Sequence, residues 1–161
     1  MCDVQLLPLT FEDMLVIHQW PAYPKEFSKL DHALRSEGWL AEFYEKPDTW
    51  IYAAKQGCEM LAFTLLAKTD SLAAEFRIAL HPHKLHQGLG KIITLMTLHE
   101  GFIALDLLRI HLIVRTNNAT AIHLYQSLGF QENDKCTRIV NHEPVDFIGM
   151  ELMQNRFTQY W

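Results

Sequence analysis

The stretch RIALHPHKLHQGLGKII, residues 77–93, places a strand, a glycine-bearing turn and the start of a helix in direct succession. Polar and apolar residues alternate over AAEFRIAL, residues 73–80, with the two-residue period of a strand. Gly88 and Gly90 follow, and glycines let backbone N–H groups point inward, while a helix N-terminus adds about half a positive charge. The stretch therefore predicts a turn that binds a phosphate or pyrophosphate mainly through its main chain.

Two glycines spaced G-x-G are a weak signal, and an ordinary strand-to-helix turn is the alternative interpretation. Lys84, His86 and Lys91 add positive charge around the turn. The chain has no GxxxxGK[ST] motif, which argues against a nucleotide triphosphatase, and no full GxGxxG, which argues against a dinucleotide-binding fold. The functional interpretation therefore depends on the rest of the chain.

The remaining pattern predicts one mixed α/β (α+β) domain over residues 1–161, without repeats or linkers. The other predicted strands cover residues 4–10, 108–115 and 146–153, together with a hairpin over residues 50–68 that turns at Gln56 and Gly57. Thr10, followed by Glu12 and Asp13, resembles a helix start, and the first predicted helix runs through residues 15–20. The other predicted helices cover residues 26–44, the segment after Gly90 and the segment after Asn118.

Apolar spacing predicts which side chains these elements bury. The strand at 73–80 is expected to alternate Ala74, Phe76, Ile78 and Leu80 against Glu75, Arg77 and Ala79. Residues 26–44 are expected to turn Leu30, Leu34 and Trp39 inward. The helix after Gly90 is expected to bury Ile92, Leu95, Met96, His99, Phe102 and Ile103. The helix capped by Asn118 is expected to bury Ala121, Leu124, Tyr125 and Leu128 and to end at Gly129.

Composition limits the class of partner. The 161 residues are 49% hydrophobic and carry a formal net charge of −5, which suits a cationic or amine substrate and not a nucleic acid. Cys2, Cys58 and Cys136 are scattered without CxxC spacing, so they predict neither a disulfide framework nor a zinc site. No apolar run approaches the ~18 residues of a membrane span. We therefore expect a cytoplasmic protein with no membrane or nucleic acid partner.

Two blocks of this sequence resemble the GNAT superfamily of N-acetyltransferases. HPHKLHQGLGK, residues 81–91, is similar to the family turn [RQ]-x-x-G-x-[GA], although Leu85 stands where Arg or Gln is expected. VRTNNATAIHLYQSLGF, residues 114–130, matches V-x-x-x-N-x-x-A-x-x-L-Y-x-x-x-G-F at every fixed position. The resemblance implies a twisted, mostly antiparallel central sheet with splayed central parallel strands and about four flanking helices. It also implies acetyl transfer from acetyl-CoA to a primary amine of a small molecule or peptide.

The resemblance also implies how acetyl-CoA, as co-substrate, is held. The backbone of Ile78, Ala79 and Leu80 would pair with the pantetheine arm in the manner of an added strand. The pyrophosphate would be surrounded by the turn that comprises Leu85, His86, Gln87, Gly88, Leu89, Gly90 and Lys91. Asn118 would contact the cofactor arm, while capping a helix explains the same residue type. Because the backbone holds the phosphates, we expect binding to survive the Leu85 departure.

Direct transfer needs a proton acceptor and a proton donor. By resemblance, Tyr125 is the general acid for the departing thiolate and also lines the cofactor, whereas a core tyrosine is the alternative. Glu75 is the first candidate for the base, and a solvated strand glutamate is the alternative. His111 is a second candidate, with a half-buried structural histidine as its alternative. The apolar Ile113 stands where relatives that acetylate ribosomal-protein N-termini carry a glutamate, which disfavours that substrate.

Four further expectations concern a metal site, a non-catalytic role, the aromatic side chains and the oligomeric state. His81, His83 and His86 cluster, but no carboxylate or thiol completes a metal-ligand set, so no metal is expected. A non-catalytic acyl-CoA-binding sensor is the rival from another class, because Leu85 departs from the motif and the base is unproven. The region that contains Trp20, Tyr23, Phe27, Trp39 and Phe43 covers the acceptor cleft in this family, or these aromatics fill the core. A homodimer is expected only because homodimers are common in the family.

Overall fold

Strands and helices follow the predicted order in the computed structural model, which describes residues 3–34 and 38–161. The strands are β1 (Val4–Pro8), β2 (Thr49–Gln56), β3 (Glu59–Asp70), β4 (Ala73–Leu80), β5 (Arg109–Arg115), β6 (Gln131–Val140) and β7 (Glu143–Met153). The α-helices are α1 (Phe11–His18), α2 (Trp39–Phe43), α3 (Leu89–His99), α4 (Ala119–Ser127) and α5 (Gln154–Tyr160). Lys25–Leu34 and Pro82–Lys84 form 3₁₀ helices, and a π-helical turn, Glu100–Ala104, extends α3.

The strands form one sheet in the order β1-β2-β3-β4-β5-β7-β6. Strands β1 and β2, β2 and β3, β5 and β7, and β6 and β7 pair antiparallel. Strands β4 and β5 pair in parallel, and the registered pairs are Ala73 with Arg109, Ala74 with Ile110 and Glu75 with His111. The predicted mixed fold, with a mostly antiparallel sheet and a central parallel pair, is confirmed.

The chain forms two compact units, and the boundaries between them fall inside β3, β4 and α3. The first unit comprises Met1–Ala67 and Arg77–Thr97, and the second comprises Lys68–Phe76 and Leu98–Trp161. Phe63, Leu65 and Leu40 are fully buried in the first unit. Phe102 and Ile110 are fully buried in the second. The single domain expected over residues 1–161 stays a prediction.

Helix α1 begins with a capping box. The Thr10 hydroxyl accepts from the Asp13 amide at 3.1 Å, and the Asp13 carboxylate accepts from the Thr10 amide at 3.0 Å. The buried Asp13 carboxylate also pairs with Lys55 Nζ at 2.6 Å. Burial alone would raise the pKa of Asp13, but the Lys55 ammonium and the Thr10 donors outweigh it and hold the pKa below 3.8. The charged form of Asp13 therefore stabilises the fold.

We expect Asp13→Asn to lower the free energy of unfolding at pH 7 by about 1–3 kcal/mol, because it leaves the Lys55 ammonium without its partner. A carboxylate with a depressed folded pKa contributes stability above its unfolded pKa and loses it as pH falls through the folded pKa. The gap between wild type and variant should thus close below pH 3.8. Urea unfolding of wild type and variant at pH 7 and below pH 3.8 measures this difference in the free energy of unfolding. Glu12→Gln, at the exposed neighbouring position, is the control, and an equal loss there would contradict the prediction.

Two predicted faces are wrong. Leu30 is 38% exposed, because Lys25–Leu34 is a 3₁₀ helix in which residues four apart no longer share a face. Helix α3 buries Ile93, Thr94, Thr97 and Leu98, whereas Ile92, His99 and Ile103 are exposed. The Thr97 hydroxyl donates to the Ile93 carbonyl at 3.0 Å and lies 2.8 Å from the Thr64 hydroxyl, so the buried face of α3 includes a hydroxyl side chain that apolar spacing assigns to the surface.

Other elements differ in extent. The helix predicted over residues 26–44 is replaced by the 3₁₀ helix and α2, and its residues 35–37 lie outside the described residues. Ala79 is buried, whereas Ile78 and Leu80 are only partly buried, so the alternation of β4 fails at its C-terminal end. Strand β6 and helix α5 were not predicted. Leu34 and Trp39 do pack against the core of the first unit, as expected.

Candidate functional site

In the first unit, the segment after β4 forms a turn braced by its own backbone. The His81 amide donates to the Leu61 carbonyl of β3 at 2.8 Å, and the Lys84 amide donates to the His81 carbonyl at 2.8 Å. The His83 amide donates to His81 Nδ1 at 3.0 Å, and Gln87 Nε2 donates to the His83 carbonyl at 3.2 Å. Two of the three clustered histidines therefore support the turn locally.

The turn then reverses through two residues in the left-handed region. His86 has φ of 60° and Gly88 has φ of 77°, and α3 begins at the next residue, Leu89. A Cβ at Gly88 would meet no atom within 4 Å, so the backbone there is open on that side. The first turn of α3 has N–H groups that no helix can satisfy internally, and it carries no acidic side chain. This geometry suits an anion such as a pyrophosphate.

Three aromatic side chains contact the end of β4 and this turn. They lie in the 3₁₀ helix Lys25–Leu34 and in the segment just before it. The Tyr23 hydroxyl donates to the Leu80 carbonyl at 2.6 Å. The Trp20 and His81 rings are 4.9 Å apart, and the Phe27 and His86 rings are 5.1 Å apart. We expected the aromatics of this region to line the acceptor cleft or to fill the core, and Trp20, Trp39 and Phe43 do pack in or against the core of the first unit. Ring contacts between distant segments leave no signal in apolar periodicity.

Tyr23 is buried, and its environment keeps it in the donor form. Burial, followed by the negative charge of Asp31, raises the pKa of the Tyr23 phenol far above 10.0. The hydrogen bond from Tyr23 to β4 therefore persists across the physiological pH range.

One of the cations expected near the turn is already engaged, because the Lys84 ammonium pairs with the Glu59 carboxylate at 2.9 Å.

In the second unit, Tyr125 lies on the buried face of α4. Its ring is 6.3 Å from that of Phe76 and 5.6 Å from that of Phe130, in edge-to-face arrangements. Burial raises the pKa of the Tyr125 phenol well above 10.0. The Asn118 side chain accepts from the Ala121 amide at 3.2 Å and caps the helix. Tyr125 is thus a protonated phenol on a firmly capped helix.

Glu75 and His111 are neighbours across the parallel ladder, since they form its last registered pair. His111 Nε2 lies 2.9 Å from the Thr69 hydroxyl, which orients the ring. Burial and then the Arg109 charge lower the pKa of His111 below 6.5, against the opposing charges of Glu75, Glu151 and Asp70. The imidazole is therefore neutral at pH 7 and able to accept a proton.

The predicted site residues fall into two groups. The first unit holds Ile78, Ala79 and Leu80 on β4, followed directly by the turn from Leu85 to Lys91. The second unit holds Glu75, Asn118 and Tyr125, and Phe76, which follows Glu75 on β4, contacts the Tyr125 ring. The roles assigned to these residues stay predictions.

The described residues contain neither a candidate metal-ligand cluster nor a candidate membrane-spanning helix. Within residues 3–34 and 38–161, no group of three or more His, Cys, Asp or Glu side chains could hold a metal ion. No helix in those same ranges is long and apolar enough to span a membrane.

A glycine turn that follows a strand of a mixed sheet and precedes a helix N-terminus is an arrangement in which backbone N–H groups can hold an anionic group. The family model of the Acetyltransferase (GNAT) family matches residues 13–130. This chain belongs to the GNAT acetyltransferase family, as its two sequence blocks predicted.

Named relatives are polyamine acetyltransferases. The spermidine N(1)-acetyltransferase of Escherichia coli (strain K12) is 39% identical over 57 residues, which are 35% of this chain and 31% of the relative. That of Vibrio cholerae is 34% identical over 89 residues, which are 53% of this chain and 50% of the relative. The chain thus spans about a third to a half of the length of these curated relatives.

The fold likeness extends over nearly the whole chain. The structure of spermidine N-acetyltransferase from Vibrio cholerae in complex with CoA and spermine has a TM-score of 0.77. The two sequences are 19% identical, and the structural match covers 96% of this chain and 98% of the other. At that identity the likeness shows the fold.

Proposed function

We propose that this protein transfers the acetyl group of acetyl-CoA directly to a primary amine of a small molecule or peptide. The observation that carries the proposal is the turn from Leu85 to Lys91, whose left-handed backbone at His86 and Gly88 precedes the N-terminus of α3. Membership of the GNAT family supports acetyl-CoA as the ligand of that turn. The full sequence carries a net charge of −5, which favours a cationic acceptor.

The motif can also be aligned from Gln87. In that register Gln87 takes the first position of [RQ]-x-x-G-x-[GA] and Gly90 takes the fourth, while Ile92 stands at the last position, where the motif has Gly or Ala. The register from Leu85 keeps both glycines but lacks the Arg or Gln. Because one register supplies the Gln, the departure at Leu85 is weak support for a non-catalytic sensor.

In the proposed reaction the amine nitrogen attacks the thioester carbonyl carbon, and the C–S bond breaks as the amide forms. Alkyl amines have pKa values of about 10 and are mostly protonated at pH 7, so a base must remove a proton before or during attack. Glu75 takes that proton, with His111 beside it as the second candidate. Tyr125 gives its phenolic proton to the CoA thiolate. Backbone N–H groups stabilise the developing oxyanion.

A polyamine is our first choice of acceptor. The relatives above act on spermidine by name, and a structure of similar fold was solved with spermine. The cytoplasmic location, the homodimer and the absence of nucleic acid and membrane partners stay predictions. Cys58 and Cys136 are free thiols, which fits a reducing compartment.

Calorimetric titration of the purified protein with acetyl-CoA tests the proposal. It should be followed by a thiol-release screen against amino acids, polyamines, aminoglycosides and peptide N-termini. We expect micromolar binding and turnover on polyamines. Binding without turnover on any amine would favour the sensor, and no binding would show that the turn does not hold acetyl-CoA.

A further inference from the structure

The registered ladder of β4 with β5 ends at Glu75, and beyond it the edge of β4 that points away from β3 has one backbone acceptor engaged by a side chain. A trans peptide points its C=O and N–H in opposite directions. The His81 amide points at the Leu61 carbonyl of β3, so the Leu80 carbonyl of the same peptide points away from β3. The Tyr23 hydroxyl donates to that outward carbonyl at 2.6 Å. A side chain 57 positions earlier thus occupies the last acceptor on this edge of the strand.

This engagement matters for a ligand that pairs with the strand edge. The pantetheine arm of CoA has two amide groups, each with one N–H donor and one C=O acceptor. In a strand, backbone groups two residues apart point to the same side. The carbonyl of Ile78 therefore shares its edge with the carbonyl of Leu80, and the arm could pair with either if both were available.

We propose that Tyr23 is a positioning residue that fixes the register of the pantetheine arm on β4. By holding the Leu80 carbonyl, it leaves the Ile78 carbonyl as the acceptor for the arm and prevents a slip of two residues toward the turn. This inference rests on the proposed function, since it takes acetyl-CoA as the ligand.

The surroundings of Tyr23 hold its hydrogen bond to the Leu80 carbonyl in place. Tyr23 is 6% exposed, so its hydroxyl is shielded from competing water. The rings of Trp20 and Phe27, three residues before Tyr23 and four after it, contact those of His81 and His86 in tilted arrangements. The same short segment therefore contacts β4 and the turn at three points. A slip of the arm would move the thioester carbon by several ångströms, whereas a misplacement of about 1 Å already costs roughly a hundredfold in rate.

The test is Tyr23→Phe, which removes one hydroxyl and keeps the ring. We expect kcat with acetyl-CoA to fall at least tenfold, because the arm then populates two registers. The affinity for 3′-phosphoadenosine 5′-diphosphate, which is the nucleotide half of CoA without the arm, should stay within twofold of wild type. A purely structural role would weaken both. Parallel losses, or an unchanged kcat, would overturn the proposal.

Tyr52→Phe is the matched control. Tyr52 is 8% exposed on β2, a strand that does not neighbour β4 in the sheet. The melting temperatures of both variants compare the loss of stability when a buried tyrosine loses its hydroxyl. Tyr52→Phe should keep kcat near wild type. If wild-type protein binds acetyl-CoA and turns over while Tyr23→Phe behaves like wild type, only the positioning role fails. If wild type binds no acetyl-CoA, the proposed function fails first.

Discussion

Replacing Tyr125 by Phe is expected to lower kcat by roughly ten- to a thousandfold while leaving the affinity for acetyl-CoA nearly intact. The substitution keeps the ring that packs against Phe76 and Phe130 and removes only the proton that the thiolate would receive. Initial rates of thiol release give kcat, and calorimetry gives the dissociation constant. A fall in affinity equal to the fall in kcat would assign Tyr125 to binding.

The pH profile adds a second readout for Tyr125. Because burial raises the pKa of this phenol above 10.0, it stays protonated throughout the usual assay range. Tyr125 should therefore produce no alkaline decline of kcat below pH 10. Tyr160→Phe, at an exposed position of α5 in the same unit, is the control and should have the wild-type kcat. Unchanged turnover in Tyr125→Phe would remove Tyr125 from the acid role.

Replacing Glu75 by Gln is expected to lower kcat/KM about a hundredfold at pH 7, within the usual range for loss of a general base. The defect should shrink as pH rises toward 10, because more of the amine is then already neutral and needs no base. Steady-state rates between pH 6 and pH 9.5 measure the trend. Glu143→Gln, at an exposed position on β7, is the matched strand control.

His111→Gln distinguishes the two candidate bases. His111 faces Glu75 across the ladder, and Thr69 orients its ring. If Glu75 is the proton acceptor, His111→Gln should cost less than Glu75→Gln at every pH. If His111→Gln loses activity while Glu75→Gln keeps it, the neutral imidazole is the acceptor and our assignment of Glu75 is wrong.

Local signals predicted much of the fold. The block at residues 114–130 carries its own helix cap at Asn118 and a glycine at position 129, whose φ is 103°. Thr10 and Asp13 likewise form the cap that starts α1. Such caps are made by residues three or four apart, so they can be read from the chain without knowledge of its tertiary structure.

Features that depend on distant partners could not be predicted. The buried face of α3 contains Thr97, whose hydroxyl meets that of Thr64 on β3, and apolar periodicity assigns such a residue to the surface. The exposure of Leu30 follows from a 3₁₀ geometry that the spacing alone does not reveal. The bond from Tyr23 to Leu80 joins residues that no local pattern connects. Candidate site residues came instead from the family motifs.

The division of the chain also limits how this gene can recombine with its relatives. The boundaries fall after Ala67, Phe76 and Thr97, so each unit is made of two separate segments. A crossover at a single point cannot exchange either unit intact. A crossover within the codons for β3 or β4 would join a strand from one parent to core residues selected with another. Inheritance of residues 59–104 as one block from a single parent keeps β3, β4 and α3 with its π-helical turn whole.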